Sequence, residues 1–202
     1  MDYIKDTVRR YPMLSDCRED MEKTVDIICG MHKGGGKLLL CGNGGSSSDC
    51  EHISGELLKG FIKKRPYKKG EIGLEEEILS KLQKGIAAIP LSSLTASLSA
   101  FGNDVESSLG YAQLVQSLGR KGDVFIGIST SGNAKNVAAA AKVAKAMGMT
   151  AIGLTGMGGG ELSRICDVTI KVPETETYKI QELHLPVYHA LCAQCEENLF
   201  EE

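Results

Sequence analysis

Two loops rich in glycine and serine have the composition of anion-binding sites. Residues 42–49 (GNGGSSSD) follow the apolar residues 37–41, and residues 129–133 (STSGN) follow the apolar residues 124–128. Each loop precedes a helical pattern, so its backbone N–H groups converge at the positive end of a helix dipole. The glycines match neither the G-x-G-x-x-G spacing of dinucleotide sites nor a phosphate loop ending in Gly-Lys-Ser/Thr. The pattern indicates a site for a small phosphorylated molecule.

The hydroxyl groups of the second loop favour a phosphate ligand over simple helix capping. A cap needs one hydroxyl, whereas Ser129, Thr130 and Ser131 supply three. Three hydroxyls suit the three oxygens of a phosphate monoester. Asn103 and Asp104, which follow a Phe-Gly pair, are by themselves ordinary helix caps.

His52 and Glu56 could carry acid–base or metal chemistry. They are i and i+4 on the helix predicted after the first loop, so both side chains lie on one helix face. Such a pair can coordinate a metal, and Glu56 alone can serve as a general base. Helices also carry His/Glu pairs by chance, which leaves a purely structural role open.

A late helical pattern adds a polar stripe to an otherwise apolar helix. Gln181 and His189 are eight positions apart and share a helix face, while His184 lies closer to the other side. Buried polar groups need hydrogen-bond partners. The stripe therefore indicates either a functional site or histidines that are satisfied within the core.

Five apolar runs are predicted to be the strands that hold these loops. They span residues 37–41, 86–90, 124–128, 150–154 and 168–172. The runs are continuous rather than alternating, which is typical of parallel strands covered on both faces. Further helical patterns cover residues 47–58, 106–118, 133–147 and 178–200. This alternation predicts an α/β fold with a doubly wound parallel sheet and right-handed crossovers.

The chain is predicted to form a single domain over residues 1–202. Residues 1–33 are predicted to be an N-terminal helical segment, because their apolar residues recur near a 3.6-residue period. Residues 61–85 break the alternation, being rich in lysine and then acidic, with a short helix expected at residues 75–82. A surface excursion that forms a tolerated loop is favoured there over a lid on the substrate.

Composition and charge argue against several classes of partner. The net charge is −3 and most basic residues are scattered, so nothing indicates nucleic-acid binding. No apolar run approaches the roughly 20 residues of a membrane helix, and the first residues are too polar for a signal peptide. We therefore expect a cytoplasmic protein whose seven cysteines are free thiols. Cys192 and Cys195 have redox-motif spacing, but they lie in a predicted helix, which disfavours redox or metal chemistry.

Taken in order along nearly the whole chain, these motifs resemble the sugar isomerase (SIS) domain family and, within it, the bacterial phosphoheptose isomerases. The resemblance rests on the two loops, His52-x-x-x-Glu56, residues 101–104 (FGND) and residues 180–189 (IQELHLPVYH). It implies a flavodoxin-like five-stranded parallel sheet with long terminal helices. It also implies a homotetramer with active sites lined by more than one subunit. The implied reaction interconverts sedoheptulose 7-phosphate and D-glycero-D-manno-heptose 7-phosphate, with no nucleotide cofactor.

The resemblance also implies roles for individual residues. The catalytic base corresponds to Glu56, and its partner acid/base corresponds to His189. The metal ligands, which hold zinc in some members, correspond to His52, Glu56, Gln181 and His189. The substrate contacts correspond to Asn43, Gly44, Gly45, Ser46, Glu56, Asn103, Asp104, Ser129, Thr130, Ser131 and Gln181.

The chain departs from the family pattern at three places. Ala134 stands where the family often has a further serine, and Gly60, beside Lys59, stands where an arginine is common. Residues 61–85 form a longer excursion than the resemblance leads us to expect. These differences bear on the identity of the sugar phosphate more than on the chemistry.

Ketose–aldose isomerisation moves a proton between C1 and C2 through an enediol. It needs a base, a group that shuttles protons between oxygens, and stabilisation of the enediolate. Glu56 would supply the base and His189 the shuttle. A metal could instead polarise the carbonyl, but a zinc-bound Glu56 is a poorer base, so its two roles compete.

Two non-catalytic functions are the alternatives to an isomerase. One is a SIS adaptor of the kind that associates with a replication initiator, and the other is a module that senses sugar phosphates. An adaptor has no reason to keep His52, Glu56, Gln181 and His189 together, and this chain has all four. The sequence therefore favours the isomerase.

Overall fold

Five strands form one parallel sheet in the computed structural model of the chain, which describes residues 1–200. The strands are β1 (Leu38–Cys41), β2 (Ala88–Pro90), β3 (Val124–Ile128), β4 (Thr150–Thr155) and β5 (Val168–Lys171). Their spatial order is β2-β1-β3-β4-β5, which is the flavodoxin-like order. The predicted α/β class and doubly wound sheet are confirmed, and the strand ends differ from the predicted ones by at most two residues.

The order of the strands places a crevice between β1 and β3. The chain continues from β1 to one edge of the sheet and then returns to start β3 on the other side of β1. Cys41 of β1 is in register with Gly127 of β3, so the loops that follow both strands leave the sheet side by side. Ligands of open parallel sheets bind at this kind of switch point.

Nine α-helices within residues 1–200 surround the sheet. They are α1 (Tyr3–Arg10), α2 (Arg18–Lys33), α3 (Gly45–Leu57), α4 (Glu76–Leu79), α5 (Thr95–Phe101), α6 (Gly110–Leu118), α7 (Lys135–Ala146), α8 (Leu162–Ile165) and α9 (Thr177–Leu199). The helix α9 continues through Pro186. Among the helices of residues 1–200, none has both the length and the apolar character required to cross a membrane.

Several helical segments differ from the sequence prediction. A 3₁₀ helix at Pro12–Cys17 divides the predicted helical segment 1–33, because proline cannot donate a backbone hydrogen bond within a helix. The predicted helix 106–118 starts only at Gly110, after a π-type turn at Gly102–Glu106 and a 3₁₀ turn at Ser107–Leu109. The helix α5 was not predicted, since none of its residues is buried and it shows no apolar stripe.

Successive strand residues face two apolar layers. Leu38 and Leu40 of β1 pack with α1, α2, α3 and α9, whereas Leu39 and Cys41 pack with α6 and α7. Both layers are buried, as the continuous apolar runs predict for a parallel sheet. The consequence for the site is that α3 and α9 lie next to each other on one face of the sheet.

The segment of residues 61–85 lies mostly at the surface, but its first part is anchored. The segment contains only the four-residue helix α4, shorter than the predicted helix 75–82, and an isolated bridge between Pro66 and Gln83. By contrast, the side chain of Arg65 is completely buried. The assignment of residues 1–202 to a single domain stays a prediction.

Candidate active site

A cleft of about 370 Å³ lies at the carboxyl ends of β1 and β3. Eight of the residues predicted to bind substrate line it together: Asn43, Gly44, Gly45, Ser46, Ser129, Thr130, Ser131 and Gln181. Ile128, Ala134 and Thr177 complete the wall and were not among the predicted residues. The two loops singled out by their composition therefore form one cavity.

Glycines shape the first loop of the cleft. Gly44 has a φ of 54°, a conformation that non-glycine residues rarely adopt, and α3 begins directly after it without a side-chain cap. A Cβ atom on Gly45 would lie 2.7 Å from Nε2 of Gln181. The missing side chain at Gly45 therefore lets the Gln181 amide lie against the start of α3.

Hydroxyls of the second loop accept hydrogen bonds from the loop's own backbone. Ser129 Oγ accepts from the N–H of Ala134 at 3.4 Å, and Ser131 Oγ accepts from the N–H of Asn133 at 3.1 Å. An accepting hydroxyl still has its own proton to donate. The loop thus orients these hydroxyls and leaves their protons available to an anion in the cleft.

A pair of asparagines ties the two loops together. The Asn43 and Asn136 side chains exchange two hydrogen bonds, each 2.9 Å long. Asn136 lies in the first turn of α7, after the second loop. This reciprocal contact holds the two loops at a set distance, and Asn136 is not among the residues that the sequence predicts for the site.

His52, Glu56 and His189 form a second cluster between α3 and α9. Nε2 of His52 lies 3.2 Å from Oε1 of Glu56 and 3.3 Å from Nε2 of His189. The His52 and His189 rings meet edge to face, with centroids 4.9 Å apart. Residues that are more than 130 positions apart in the sequence therefore converge within one chain, with the Glu56 side chain 18% exposed.

Tyr188 contacts His52 from the side opposite Glu56, and it was not among the predicted site residues. The hydroxyl of Tyr188 lies 3.0 Å from Nδ1 of His52. Burial raises the pKa of Asp49, against smaller lowering effects of Tyr188 and of the charge of His52. Nδ1 of His52 is thus occupied by the tyrosine, while its Nε2 faces Glu56 and His189.

The environment of His189 favours its neutral form. Burial lowers the pKa of His189, the charge of His52 lowers it further, and Glu56 acts in the opposite direction. The net shift is downward from the usual value of 6.5. His189 is therefore a neutral imidazole at neutral pH, which can both take up and release a proton.

The predicted set of four metal ligands does not converge in the chain. The 3.2 and 3.3 Å separations around His52 Nε2 match the edge of about 3.3 Å expected between ligands of tetrahedral zinc. Gln181, however, lies against Gly45, two helical turns from His189 along α9. Among residues 1–200, no group of three His, Cys, Asp or Glu side chains has the geometry of a metal site. As folded, the residues do not make a complete zinc site.

Asn103 and Asp104 lie away from both groups of residues. They are exposed in the π-type turn after α5, and Asn103 Nδ2 donates to Asp104 Oδ1 at 2.9 Å. Neither residue lines the cleft. Within one chain they therefore lie outside the cleft, and neither side chain caps the turn that carries them; their role as substrate contacts stays a prediction.

His184 is fully buried, and neither of its ring nitrogens has a hydrogen-bond partner among residues 1–200. Burial lowers its pKa to about 4, against a smaller opposing effect of the backbone of Thr155. The core therefore leaves this imidazole without the hydrogen bonds that water would give it. His184 is held neutral by desolvation.

This burial predicts a loss of stability in mild acid. Between pH of about 6.5 and about 4, the unfolded chain binds a proton at His184 and the folded chain does not. The free energy of unfolding should therefore fall as the pH decreases through this window, by up to about 3 kcal/mol from this residue. Urea unfolding of the wild type and of His184→Leu on both sides of the window measures the difference.

The half-buried His32 provides the control for this prediction. We expect His184→Leu to lose much less stability in acid than the wild type, whereas His32→Gln should keep most of the wild-type pH dependence. Equal losses in the wild type and in His184→Leu would show that His184 is not the group that titrates.

The sequence matches one family pattern over most of its length. The pattern of the SIS domain covers residues 2–156. A phosphoheptose isomerase from Helicobacter hepaticus is 41% identical over 182 residues, which make up 88% of this chain and 84% of the relative. This similarity extends through both loops and the α3 cluster residues.

Solved structures agree with the sequence comparison. A phosphoheptose isomerase from Francisella tularensis superposes with a TM-score of 0.79 at 27% identity, covering 96% of this chain and 95% of the other. One from Neisseria gonorrhoeae superposes with a TM-score of 0.77 at 30% identity, covering 96% and 94% of the two chains. Both similarities extend over nearly the full fold.

Proposed function

The chain belongs to the phosphoheptose isomerase family of SIS-domain proteins, and we propose that it interconverts sedoheptulose 7-phosphate and D-glycero-D-manno-heptose 7-phosphate. One observation carries this proposal. The anion cleft and the His52–Glu56–His189 cluster lie along the same seam between α3 and α9, with Gln181 beside Gly45 at one end and His189 beside His52 at the other. One seam thus offers both a site for the phosphate and the acid–base side chains that the reaction needs.

The length of the seam suits a seven-carbon sugar phosphate. The seven or eight residues that separate the two contacts along α3 and α9 correspond to about 10–12 Å of helix. An extended chain of seven carbons with bonds of about 1.5 Å spans roughly 8–10 Å from its first carbon to the phosphate. A phosphate in the cleft therefore directs C1 and C2 of a heptose toward Glu56 and His189.

The proton transfers are assigned to two side chains. Glu56 removes a proton from C1 of the ketose, which forms the enediol, and returns it to C2 to give the aldose. His189, neutral before the reaction, takes the proton from the oxygen on C1 and delivers it to the oxygen on C2. Ser129, Thr130 and Ser131 hold the phosphate. Relatives at about 40% identity carry the name phosphoheptose isomerase, which gives no support to the adaptor or the sensor.

A zinc ion and a homotetramer are further parts of the proposal. Zinc would be held by His52, Glu56 and His189 with Gln181 only after these side chains rearrange from the positions described above, in which Gln181 lies against Gly45; when bound, it would polarise the substrate carbonyl. The tetramer is supported by the segment that carries Asn103 and Asp104, where Val105 is 67% exposed. In an assembly, this segment would reach the cleft of a neighbouring subunit. A cytoplasmic location is supported by seven free cysteines in residues 1–200.

Heavy water tests the reaction and the metal together. We expect incubation with sedoheptulose 7-phosphate in heavy water to produce the aldose and to place deuterium at its C2, detected by NMR and mass spectrometry. A chelator arm shows whether turnover needs a metal, with re-addition of Zn²⁺ as its control. Binding of the sugar phosphate without deuterium exchange would identify a sensor and contradict the isomerase.

A further inference from the structure

Arg65 is the centre of a buried polar contact outside the cleft. Its side chain has no exposed surface, and the side chain of its partner Glu196 is 1% exposed. Arg65 Nε donates to Glu196 Oε1 at 2.7 Å, Nη1 donates to the carbonyl of Leu57 at 2.7 Å, and Nη2 donates to the carbonyl of Glu56 at 3.4 Å. One guanidinium thus joins a carboxylate on α9 to the last two residues of α3.

Glu196 is in turn held by the chain that leads to Arg65. Its two carboxylate oxygens accept the backbone N–H groups of Phe61, Ile62 and Lys63 at 2.8–2.9 Å. Burial acts to raise the pKa of Glu196, but these N–H groups and Arg65 lower it on balance. The carboxylate is therefore ionised and saturated with donors, and its position on α9 does not depend on solvent.

The two ends of this contact lie beside the proposed catalytic groups. The last four carbonyls of a helix have no partner within the helix, and Arg65 binds the carbonyl of Glu56 itself. Glu196 follows His189 by seven residues on α9, which places both on the same helix face. The contact therefore joins the two helices about two turns beyond His189 on α9 and just over one turn beyond His52 on α3.

We propose that Arg65 is a positioning residue for the isomerisation: it holds the last turn of α3 against α9 so that the Glu56 carboxylate faces the His189 imidazole. This inference rests on the proposed function for its catalytic consequence. A role in stability alone is a weaker account, because a buried ion pair can often be replaced by apolar residues without loss of stability. Two apolar side chains, however, cannot donate hydrogen bonds to a carboxylate and two backbone carbonyls, as the planar guanidinium of Arg65 does.

The variant that separates the two roles is Arg65→Lys. Lysine keeps a positive charge for Glu196, but its single ammonium on a flexible side chain cannot also donate hydrogen bonds to the carbonyls of Glu56 and Leu57. We expect kcat to fall about 10–100-fold, since a displacement of about 1 Å can lower the rate 10²-fold. KM for sedoheptulose 7-phosphate should stay within about twofold, because the phosphate is held by other elements.

Asp123→Asn provides a matched control. Asp123 is also a buried carboxylate that accepts two backbone N–H groups, from Lys37 and Arg120, and pairs with the Lys37 ammonium. It lies at the amino end of β3, opposite the cleft. We expect Asp123→Asn to lower Tm as Arg65→Lys does, but to leave kcat unchanged. Glu196→Gln replaces Arg65→Lys if the lysine variant does not fold.

A spectroscopic readout keeps the positioning test independent of turnover. The chain has four histidines, so the side-chain ¹⁵N signals of a histidine-labelled sample can be resolved one by one. Arg65→Lys should shift the signals of His52 and His189 and leave that of His184 in place. If the wild type does not isomerise the sugar, the proposed function fails, and these signals still decide whether Arg65 positions the cluster. Unchanged signals and wild-type kcat in a destabilised Arg65→Lys would overturn the inference.

Discussion

Replacing Glu56 with glutamine is expected to lower turnover about 10²–10⁴-fold, the range typical for the loss of a general base. The amide has nearly the same shape as the carboxylate, but it cannot accept a proton from C1. The fold should tolerate the change, because within residues 1–200 the polar side-chain contacts of the carboxylate are limited to His52 at 3.2 Å and Lys59 at 3.5 Å. The measurement is kcat with sedoheptulose 7-phosphate, with Tm recorded for the same samples.

Glu51→Gln is the control for this prediction. Glu51 lies on the same helix, is exposed and faces away from the cluster, so its loss of charge should leave kcat within about twofold. A Glu56→Gln enzyme with near-normal turnover would remove Glu56 as the base. In that case the cluster would have to act through His189 and a metal alone.

Replacing Gly132 with alanine is expected to raise KM for the sugar phosphate at least about tenfold, because the phosphate loop must change shape. Gly132 has a φ of 69°, and an added Cβ would lie 2.5 Å from the carbonyl carbon of Gly159 and 2.9 Å from the nitrogen of Gly160. Both neighbours are backbone atoms, so one of the two loops must move. The positive φ alone costs about 1–3 kcal/mol of stability.

Gly70→Ala separates backbone strain from the distortion of the cleft. Gly70 also has a positive φ, of 77°, but nothing lies within 4 Å of its added Cβ, and it belongs to the exposed segment 61–85. We expect Gly70→Ala to lose stability without a change in KM. If Gly132→Ala binds the sugar phosphate as the wild type does, the anion is held elsewhere than at residues 129–131.

Local patterns were sufficient to predict the sheet and the cleft. A strand buried on both faces must be apolar throughout, so the five runs identified the five strands within two residues. Parallel strands bring their carboxyl ends to one edge of a sheet, which is why the loops at residues 42–49 and 129–133, far apart in the sequence, come together in one cavity. Eight predicted contacts, from Asn43 to Gln181, line that cavity.

Helices with weak local signals were harder to predict. The helix α5 has no buried residue, so it shows no apolar period for a sequence to reveal. The break at Pro12 could have been anticipated, because proline removes a backbone donor. The π-type turn at Gly102–Glu106 has no comparable signal, and it is the reason that Asn103 and Asp104 lie at the surface.

The sequence by itself determined which side chains share a helix face, because that depends only on the 3.6-residue period. It placed His52 with Glu56, and Gln181 with His189. Only the tertiary structure decided which faces meet. In the structure, His189 lies beside His52. Gln181 packs instead against Gly45, which has no side chain. Arg65 pairs with Glu196, 131 positions away in the sequence. The physical reason is that the packing of two helices depends on the volumes of all side chains between them, which no local period encodes.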